Sequence, residues 1–147
     1  MSLRSNRILI VDDEEDLTWS ISRSLTKNND MLEVICVNSG DDALHALEQN
    51  AFDLVISDLR MPGISGMALL DQVKQNHPKT KMIIMTAYGS PDIERKIRST
   101  ENAYYIEKPF DIHELKKLIF KVNWNQGELN SSVDDVDLNT NVNIVYH

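Results

Sequence analysis

The stretch that decides the fold is RILIVDDEED, which runs from Arg7 to Asp16. In it, four consecutive apolar residues lead directly into five acidic residues. A continuous apolar run of this kind is typical of a strand that is buried on both faces of a parallel sheet. Negative charges packed this densely repel one another. The end of this strand therefore needs a positive partner, such as a metal ion or the start of a helix.

The same pattern recurs along the chain, where short runs rich in Ile and Val alternate with segments of helical periodicity. The predicted strands are 7–11, 32–37, 52–57, 81–86 and 104–107. Ser90 before Pro91 predicts a helix start, and Asp111 with Glu114 predicts a capping box. Parallel strands joined by single helices need right-handed crossovers that cover both faces of the sheet. We therefore expect an α/β fold with a doubly wound, five-stranded parallel sheet.

Length and composition exclude several classes of function. The chain has 147 residues, which suits one domain, and a net charge of −8, which argues against nucleic acid or an anionic membrane as a direct partner. No apolar run approaches the roughly 18 residues that span a bilayer, and the N-terminal run is too short for a signal peptide. The single cysteine, Cys36, rules out an internal disulfide framework and is expected to be buried. A cytoplasmic protein is expected.

Polar side chains lie at the predicted carboxyl ends of four strands, where ligands bind in a doubly wound sheet. They are three carboxylates, one hydroxyl and one ammonium: Asp12, Asp13, Asp58, Thr86 and Lys108. Carboxylate oxygens suit a hard divalent cation, and Mg²⁺ in particular is held by one or two carboxylates together with phosphate and water. The edge is therefore a candidate Mg²⁺ and phosphate site.

A purely structural interpretation stays open for each of these residues. Asp12 could be only the N-cap of the first helix, with the acids at 14–16 favouring the positive end of that helix. Thr86 could satisfy backbone groups at a strand end, and Lys108 could be a solvated surface lysine. None of these explains why Asp58 and Lys108 reach the same edge from distant parts of the chain.

Four segments, in this order, resemble the receiver domain of two-component response regulators: ILIVDDE, VISDLRMPGISG, IIMTAYGS and YYIEKPFD. The resemblance covers about residues 7–123. It implies a flavodoxin-like sheet with strand order 2-1-3-4-5. We expect a receiver domain over residues 1–123, followed by an acidic tail or the start of a linker, rich in Asn, Ser and Asp, over 124–147.

The resemblance also implies a metal site and a phosphoacceptor. Asp58 would accept the phosphoryl group. Asp13, Asp58 and the backbone carbonyl of Arg60 would coordinate Mg²⁺ directly, and Asp12 would reach the ion through water. A catalytic role of this kind is confined to the domain's own phosphorylation and dephosphorylation, so a signalling domain is expected rather than a conventional enzyme.

The remaining roles concern recognition and switching. Lys108 would pair with the phosphoryl group, and Thr86 would donate a hydrogen bond to it. Tyr105 would turn inward on activation and change the surface of the fourth helix, fifth strand and fifth helix, roughly Pro91 to Asn123. The implied partners are a sensor histidine kinase or phosphotransfer protein, a downstream effector domain or protein, and a second copy of the chain at this surface. The Lys108–Pro109 peptide is expected to be cis.

Three departures from the family pattern carry expectations of their own. Glu101-Asn102 replaces the usual Gly-Ala, so the register of the last strand is expected to slip by one residue. Arg60 and Tyr88 would flank the phosphoryl group, and their size should lengthen the phosphorylated lifetime. No output domain follows, so the chain is either a stand-alone receiver or the N-terminal part of a larger transcriptional regulator; MPGISGMALL and TAYGS are similar to regulators with ATPase and DNA-binding domains.

Three alternatives belong to other classes. A degenerate receiver that binds partners constitutively is disfavoured by the complete set of acids, hydroxyl and lysine. A haloacid-dehalogenase-type phosphatase would need an aspartate two residues after Asp58, where Arg60 stands. A flavodoxin would need a phosphate-binding loop rich in Ser, Thr and Gly after the first strand, where the acids stand instead.

Overall fold

The computed structural model describes residues 6–27, 31–87 and 90–123, in which strands and helices alternate strictly. The strands are β1 (Asn6–Val11), β2 (Leu32–Val37), β3 (Leu54–Asp58), β4 (Lys81–Thr86) and β5 (Ala103–Glu107). The helices are α1 (Glu15–Thr26), α2 (Gly40–Gln49), α3 (Gly66–Asn76), α4 (Pro91–Arg98) and α5 (Ile112–Asn123). The five predicted strands are therefore confirmed, with small differences at their ends.

The sheet is parallel throughout, with strand order β2-β1-β3-β4-β5. This confirms the doubly wound architecture and the order that the family resemblance implied. The connections run outward in opposite directions from β1, so the strand order reverses between β1 and β3. A crevice opens at the carboxyl ends of strands at such a point.

Two hydrophobic layers hold the helices to the sheet. On one face, α2, α3 and α4 bury residues such as Leu47, Val73 and Ile97. On the other face, α1 and α5 bury residues such as Ile21 and Ile119. The three central strands are almost wholly buried, whereas β2 and β5 at the sheet edges are partly exposed. Continuous apolar runs in the sequence reflect this burial on both faces.

The prediction that Cys36 is buried was wrong, because this residue is exposed. Cys36 belongs to the edge strand β2, of which no residue is fully buried. Its Sγ lies 3.6 Å from the backbone carbonyl oxygen of Thr18 in α1. An apolar run that reads like a central strand in sequence can thus lie at the edge of the sheet, where the covering layer is incomplete.

The predicted helix starts are confirmed in atomic detail. Ser90 is the N-cap of α4, and its Oγ accepts a hydrogen bond of 3.2 Å from the backbone N–H of Ile93, with Pro91 as the first helical residue. Before α5, the backbone N–H of Asp111 donates to Oε1 of Glu114 at 3.1 Å, and Asp111 Oδ1 accepts a backbone N–H of the first turn at 3.0 Å. Both caps satisfy backbone donors that the helix itself leaves unpaired.

The turn before β5 contains a residue in the left-handed region of backbone conformation. Asn102 adopts a left-handed conformation with φ of 63°, which Asn tolerates better than most residues. Its carbonyl oxygen accepts a hydrogen bond of 2.9 Å from the backbone N–H of Met82. From there, β4 and β5 pair continuously up to Thr86 and Glu107. The expected slip of register relative to the family stays a prediction.

Across the described ranges, no helix is both long enough and apolar enough to cross a membrane. The tail, residues 124–147, lies outside the described residues, as does Tyr88.

Candidate functional site

The chain brings its predicted site residues together at the carboxyl edge of the sheet. Asp12 and Asp13 follow the last residue of β1, and Asp58 is the last residue of β3. Lys108 follows β5, and its backbone N–H donates a hydrogen bond of 2.8 Å to the carbonyl oxygen of Thr86 at the end of β4. Because parallel strands place all their carboxyl ends at one edge, residues that are far apart in sequence meet here.

Three carboxylates form the acidic part of the site. Asp12, Asp13 and Asp58 each offer an oxygen that lies within 4.8 Å of the others. Asp12 is fully buried, the side chain of Asp58 is 13% exposed, and Asp13 is exposed. A cluster that is buried at its base and open at its top can admit a divalent cation from solvent while it keeps anionic oxygens close. The donor set therefore fits Mg²⁺.

Lys108 bridges two of these carboxylates and is not a solvated surface lysine. Its Nζ lies 3.2 Å from Asp12 Oδ2 and 3.2 Å from Asp58 Oδ1. Glu14 Oε1 is further away, at 3.9 Å. Only 19% of the Lys108 side chain is exposed. The ammonium thus provides the positive charge that the acidic stretch in the sequence required.

The charges at this site shift each other's titration. Burial and repulsion from Asp12 raise the pKa of the Asp58 carboxyl above its usual range, and Lys108 and the backbone N–H of Leu59 oppose the rise. Burial alone would lower the pKa of Lys108, but attraction by Asp12 and Asp58 outweighs it and raises that pKa. The site therefore keeps Lys108 as a cation, while Asp58 is a more basic carboxylate than an exposed aspartate.

The start of α1 separates the roles of the neighbouring acids. The N-cap is Glu14, so Asp12 is not the cap of this helix. Asp12 instead accepts the backbone N–H of Glu14 on Oδ1 at 2.9 Å and turns Oδ2 toward Lys108. Glu15 and Asp16 occupy the first turn, where the helix dipole favours negative charge, as predicted.

Thr86 presents a buried hydroxyl with no partner. The residue is 1% exposed, and within the described part of the chain its Oγ1 has no hydrogen-bond partner. The interpretation that Thr86 satisfies backbone groups at the strand end is therefore wrong. A buried donor left unpaired is unfavourable by about 1–3 kcal/mol, and this hydroxyl is free to donate to a group at the strand ends.

Tyr105 lies on β5, on the same face of the sheet as Thr86. Ile84 pairs with Tyr105 and Thr86 pairs with Glu107, so the two residues are offset by one side-chain position on adjacent strands. The phenol is partly buried against the layer that α4 covers. This placement is compatible with a coupled movement of the two side chains.

Two positioning residues were not identified from the sequence. The side-chain amide of Asn38 donates to the backbone carbonyl oxygen of Asp12 at 3.2 Å. Gly66, the first residue of α3, packs against the backbone of Asp58 so closely that a methyl group would overlap the Asp58 carbonyl oxygen. Gly66 directly follows Ser65, the N-cap of α3, and a glycine at this place was the available signal, but it does not show which backbone lies nearby.

Arg60 lies just beyond β3, and its side chain is exposed. The metal-binding role of its backbone carbonyl stays a prediction. The Lys108–Pro109 peptide is cis, as predicted. Beside it is a cleft of about 520 Å³, whose lining residues are Leu17, Ala87, Lys108, Pro109 and Phe110. This mostly apolar cleft opens directly next to the Lys108 ammonium.

The fold and site together define a flavodoxin-like α/β domain with an acidic, lysine-bridged strand-end site. The family model of the response regulator receiver domain matches residues 8–120. The chain therefore belongs to the receiver domain family of two-component response regulators. Domains of this family are signalling domains rather than conventional enzymes, and they bind Mg²⁺ at an acidic pocket of the kind described above.

Response regulators of similar sequence agree with this assignment. The DNA-binding transcriptional regulator NtrC of Klebsiella pneumoniae is 40% identical over 110 residues, which cover 75% of this chain and 23% of that protein. The response regulator protein FleR of Pseudomonas aeruginosa is 34% identical over 113 residues, which cover 77% of this chain and 24% of that protein. The chain thus spans about a quarter of the length of these relatives.

Solved structures agree as well. The signal receiver domain of a putative LuxO repressor protein from Vibrio parahaemolyticus superposes with a TM-score of 0.76 at 28% identity and covers 88% of this chain and 97% of that one. The chemotaxis response regulator CheY4 of Vibrio cholerae superposes with a TM-score of 0.71 at 25% identity. The match covers 80% of this chain and 98% of that one. The similarity extends over nearly the whole of each receiver.

Replacement of Lys108 by Met should raise the pKa of Asp58 further, because the main group that opposes burial and the repulsion from Asp12 is lost. In metal-free buffer, the carbon-13 resonance of the Asp58 carboxyl should titrate at higher pH in the variant. Because the pKa of Asp58 is higher in the folded state than in the unfolded state, protonation of Asp58 favours folding. This contribution to the free energy of unfolding is fully present below the unfolded-state pKa and is lost as the pH rises through the folded-state pKa.

The control for this titration is Lys117→Met, which removes an exposed lysine from α5, the helix that follows Lys108 in the chain. It should leave the Asp58 titration unchanged. Identical titration curves in Lys108→Met and the unmodified protein would show that the ion pair does not set the pKa of Asp58.

Proposed function

We propose that this chain is a phosphorylation-switched signalling module of the cytoplasm that accepts a phosphoryl group on Asp58 from a sensor histidine kinase or phosphotransfer protein. The observation that carries the proposal is the Lys108 ammonium, held 3.2 Å from Asp58 at the mouth of a three-carboxylate cluster. Nearby, Thr86 keeps a buried hydroxyl free of partners within the described residues. Together these groups can surround a phosphoryl group with one cation and one donor.

The transfer needs a nucleophile, charge neutralisation and alignment. A carboxylate oxygen of Asp58 attacks phosphorus, an O–P bond forms, and the P–N bond to the donor imidazole breaks. No general base is required, because Asp58 reacts as the carboxylate. The two anions that must meet repel each other, and Lys108 lowers this repulsion and stabilises the charge on the transferring oxygens.

The acidic cluster fits the Mg²⁺ that this reaction would use. Asp13, Asp58 and the carbonyl of Arg60 would hold the ion directly, and Asp12 would hold it through water. When bound, the ion supplies further positive charge to the phosphoryl oxygens and orients them. The chain's own contribution is a fixed crevice in which Lys108 already counters the charge of the two inner carboxylates.

Phosphorylation would then change the surface formed by α4, β5 and α5. A phosphoryl group on Asp58 offers acceptors to Lys108 and to the unpartnered hydroxyl of Thr86. Movement of Thr86 toward it frees space on the face that Tyr105 shares, so an inward position of Tyr105 becomes favourable. The switch is a shift in population between two arrangements, driven by their different affinity for the phosphoryl group.

Residues 1–123 would form the complete switch, and 124–147 would begin a linker. Since the matched segment covers only about a quarter of each relative's length, an effector domain on a larger transcriptional regulator is one proposed downstream partner, and a separate effector protein is the other. The changed surface of α4, β5 and α5 could also pair with a second copy of the chain.

The direct test is intact mass after incubation with acetyl phosphate, with and without Mg²⁺. The mass should increase by one phosphoryl group only when Mg²⁺ is present. The variant Asp58→Ala should show no increase, because the nucleophile is absent.

If the unmodified chain gains no phosphoryl group while a known receiver does so in parallel, the assay is repeated with phosphorylated donor proteins. Failure with these as well would contradict the proposal and favour a receiver that binds its partners constitutively.

Thr86→Val separates the functional role of the hydroxyl from a structural one. Loss of an unpaired buried hydroxyl should stabilise the free protein by about 1 kcal/mol in urea unfolding. The same change should weaken binding of beryllofluoride, a phosphoryl mimic, roughly tenfold or more, because a hydrogen bond to a charged group contributes about 1.5–3 kcal/mol.

Thr80→Val is the matched control for this variant. Thr80 is also buried, but its Oγ1 donates to the carbonyl oxygen of Phe52 at 2.9 Å. This variant should therefore lose stability and keep its affinity for beryllofluoride. Equal behaviour of the two variants would contradict the proposed role of Thr86.

The large side chain of Arg60 is proposed to lengthen the phosphorylated lifetime by restricting the water that attacks phosphorus. Arg60→Asn should therefore shorten the lifetime, measured by loss of the phosphorylated mass after removal of the donor. Arg95→Asn, an exposed change on α4, is the control. An unchanged lifetime in Arg60→Asn would argue against shielding by this residue.

A further inference from the structure

The hydroxyl of Tyr105 is held by two charged residues of α4. Arg98 donates from its guanidinium to Tyr105 Oη at 2.7 Å, and Tyr105 in turn donates to Glu94 Oε1 at 3.3 Å. The guanidinium carbon also lies 5.5 Å from the centre of the Tyr105 ring. One phenol is thus engaged as acceptor, as donor and through its ring, so its side chain is restrained at the surface of α4.

This arrangement is specific to Arg98 among the basic residues of α4. Arg95 pairs within the helix with Asp92 at 2.8 Å, and Lys96 pairs with Asp71 of α3 at 3.4 Å. Arg98 instead reaches across to β5. Glu94 and Arg98 are four residues apart, so they lie next to each other on the helix face that covers Tyr105.

The restrained tyrosine lies one side-chain position from Thr86 on the same face of the sheet, and the Thr86 hydroxyl has no partner within the described ranges. Arg98 and Glu94 belong to α4, which packs outside the sheet. A movement of the Tyr105 ring inward, away from α4, therefore breaks its contacts with both residues. Breaking them also removes a connection between α4 and β5. The position of Tyr105 and the position of α4 are therefore linked by the same three side chains.

We propose that Glu94 and Arg98 form a clasp on Tyr105 that holds the unphosphorylated chain in its inactive arrangement. This inference rests on the proposed function, since it assigns a regulatory device to the same switch. Free energy stored in the clasp opposes activation, so a phosphoryl group on Asp58 must first offset it. By linkage, a weaker clasp raises the population of the active arrangement and tightens binding of any phosphoryl mimic.

The test measures beryllofluoride affinity at saturating Mg²⁺ for the full chain and its variants. Arg98→Ala should bind roughly fivefold more tightly, as expected when a hydrogen bond with a net contribution near 1 kcal/mol is removed from the inactive arrangement. Tyr105→Phe should show a similar gain. The double variant should show no additional gain, because both changes break the same contact.

Arg95→Ala is the matched control, since it removes the same charge from the same helix without touching Tyr105. It should leave affinity unchanged. A second measurement reports the arrangement itself: the ring resonance of Tyr105, assigned through Tyr105→Phe, should move in free Arg98→Ala toward its position in the beryllofluoride complex. Glu94→Gln should move it in the same direction, by a smaller amount.

Two outcomes would overturn the clasp while leaving the proposed function intact. One is an affinity in Arg98→Ala equal to that of the unmodified chain, with an unmoved Tyr105 resonance. The other is an equal gain in Arg95→Ala, which would indicate a general effect of charge. Failure of the unmodified chain to bind beryllofluoride would instead overturn the proposed function, and the clasp as a regulator with it.

Discussion

The structure depends on one electrostatic constraint: two inner carboxylates at the carboxyl edge of the sheet must share a cation. Asp12 is fully buried, the side chain of Asp58 is 13% exposed, and the ammonium of Lys108 lies 3.2 Å from each carboxylate. Without it, two buried anions would face each other in a medium that screens them poorly. The same ammonium links the ends of β5 and β1 through Lys108 and Asp12, which are 96 positions apart in the chain.

The parallel topology makes this arrangement available. All five strands end at one edge, and the reversal of strand order between β1 and β3 opens the crevice there. The two layers of helices cover opposite faces of the sheet. On one face, α1 and α5 close the core, and on the other, α4 packs against β5, which carries Tyr105.

Unfavourable local features concentrate at the same edge. The pKa of Asp58 is raised by burial and by Asp12, and Thr86 keeps a buried hydroxyl unpaired among the described residues. In an ordinary core such groups would be replaced by apolar ones, because each lowers stability. Their joint presence supports the proposal that a metal ion and a phosphoryl group bind at this edge. The proposed clasp on Tyr105 would oppose activation until those groups bind.

The sequence by itself determined the strands, the caps of α4 and α5 and the set of strand-end residues, because these depend on local periodicity and on the rule that parallel strands end together. It could not determine that Cys36 lies exposed on an edge strand, that Asp12 stands before the N-cap Glu14, or that the hydroxyl of Thr86 has no partner among the described residues. Those facts depend on which elements cover one another. The contact of Arg98 with Tyr105 is of the same kind: helix spacing places Arg98 beside Glu94, but only tertiary packing of α4 on β5 decides that both face the phenol.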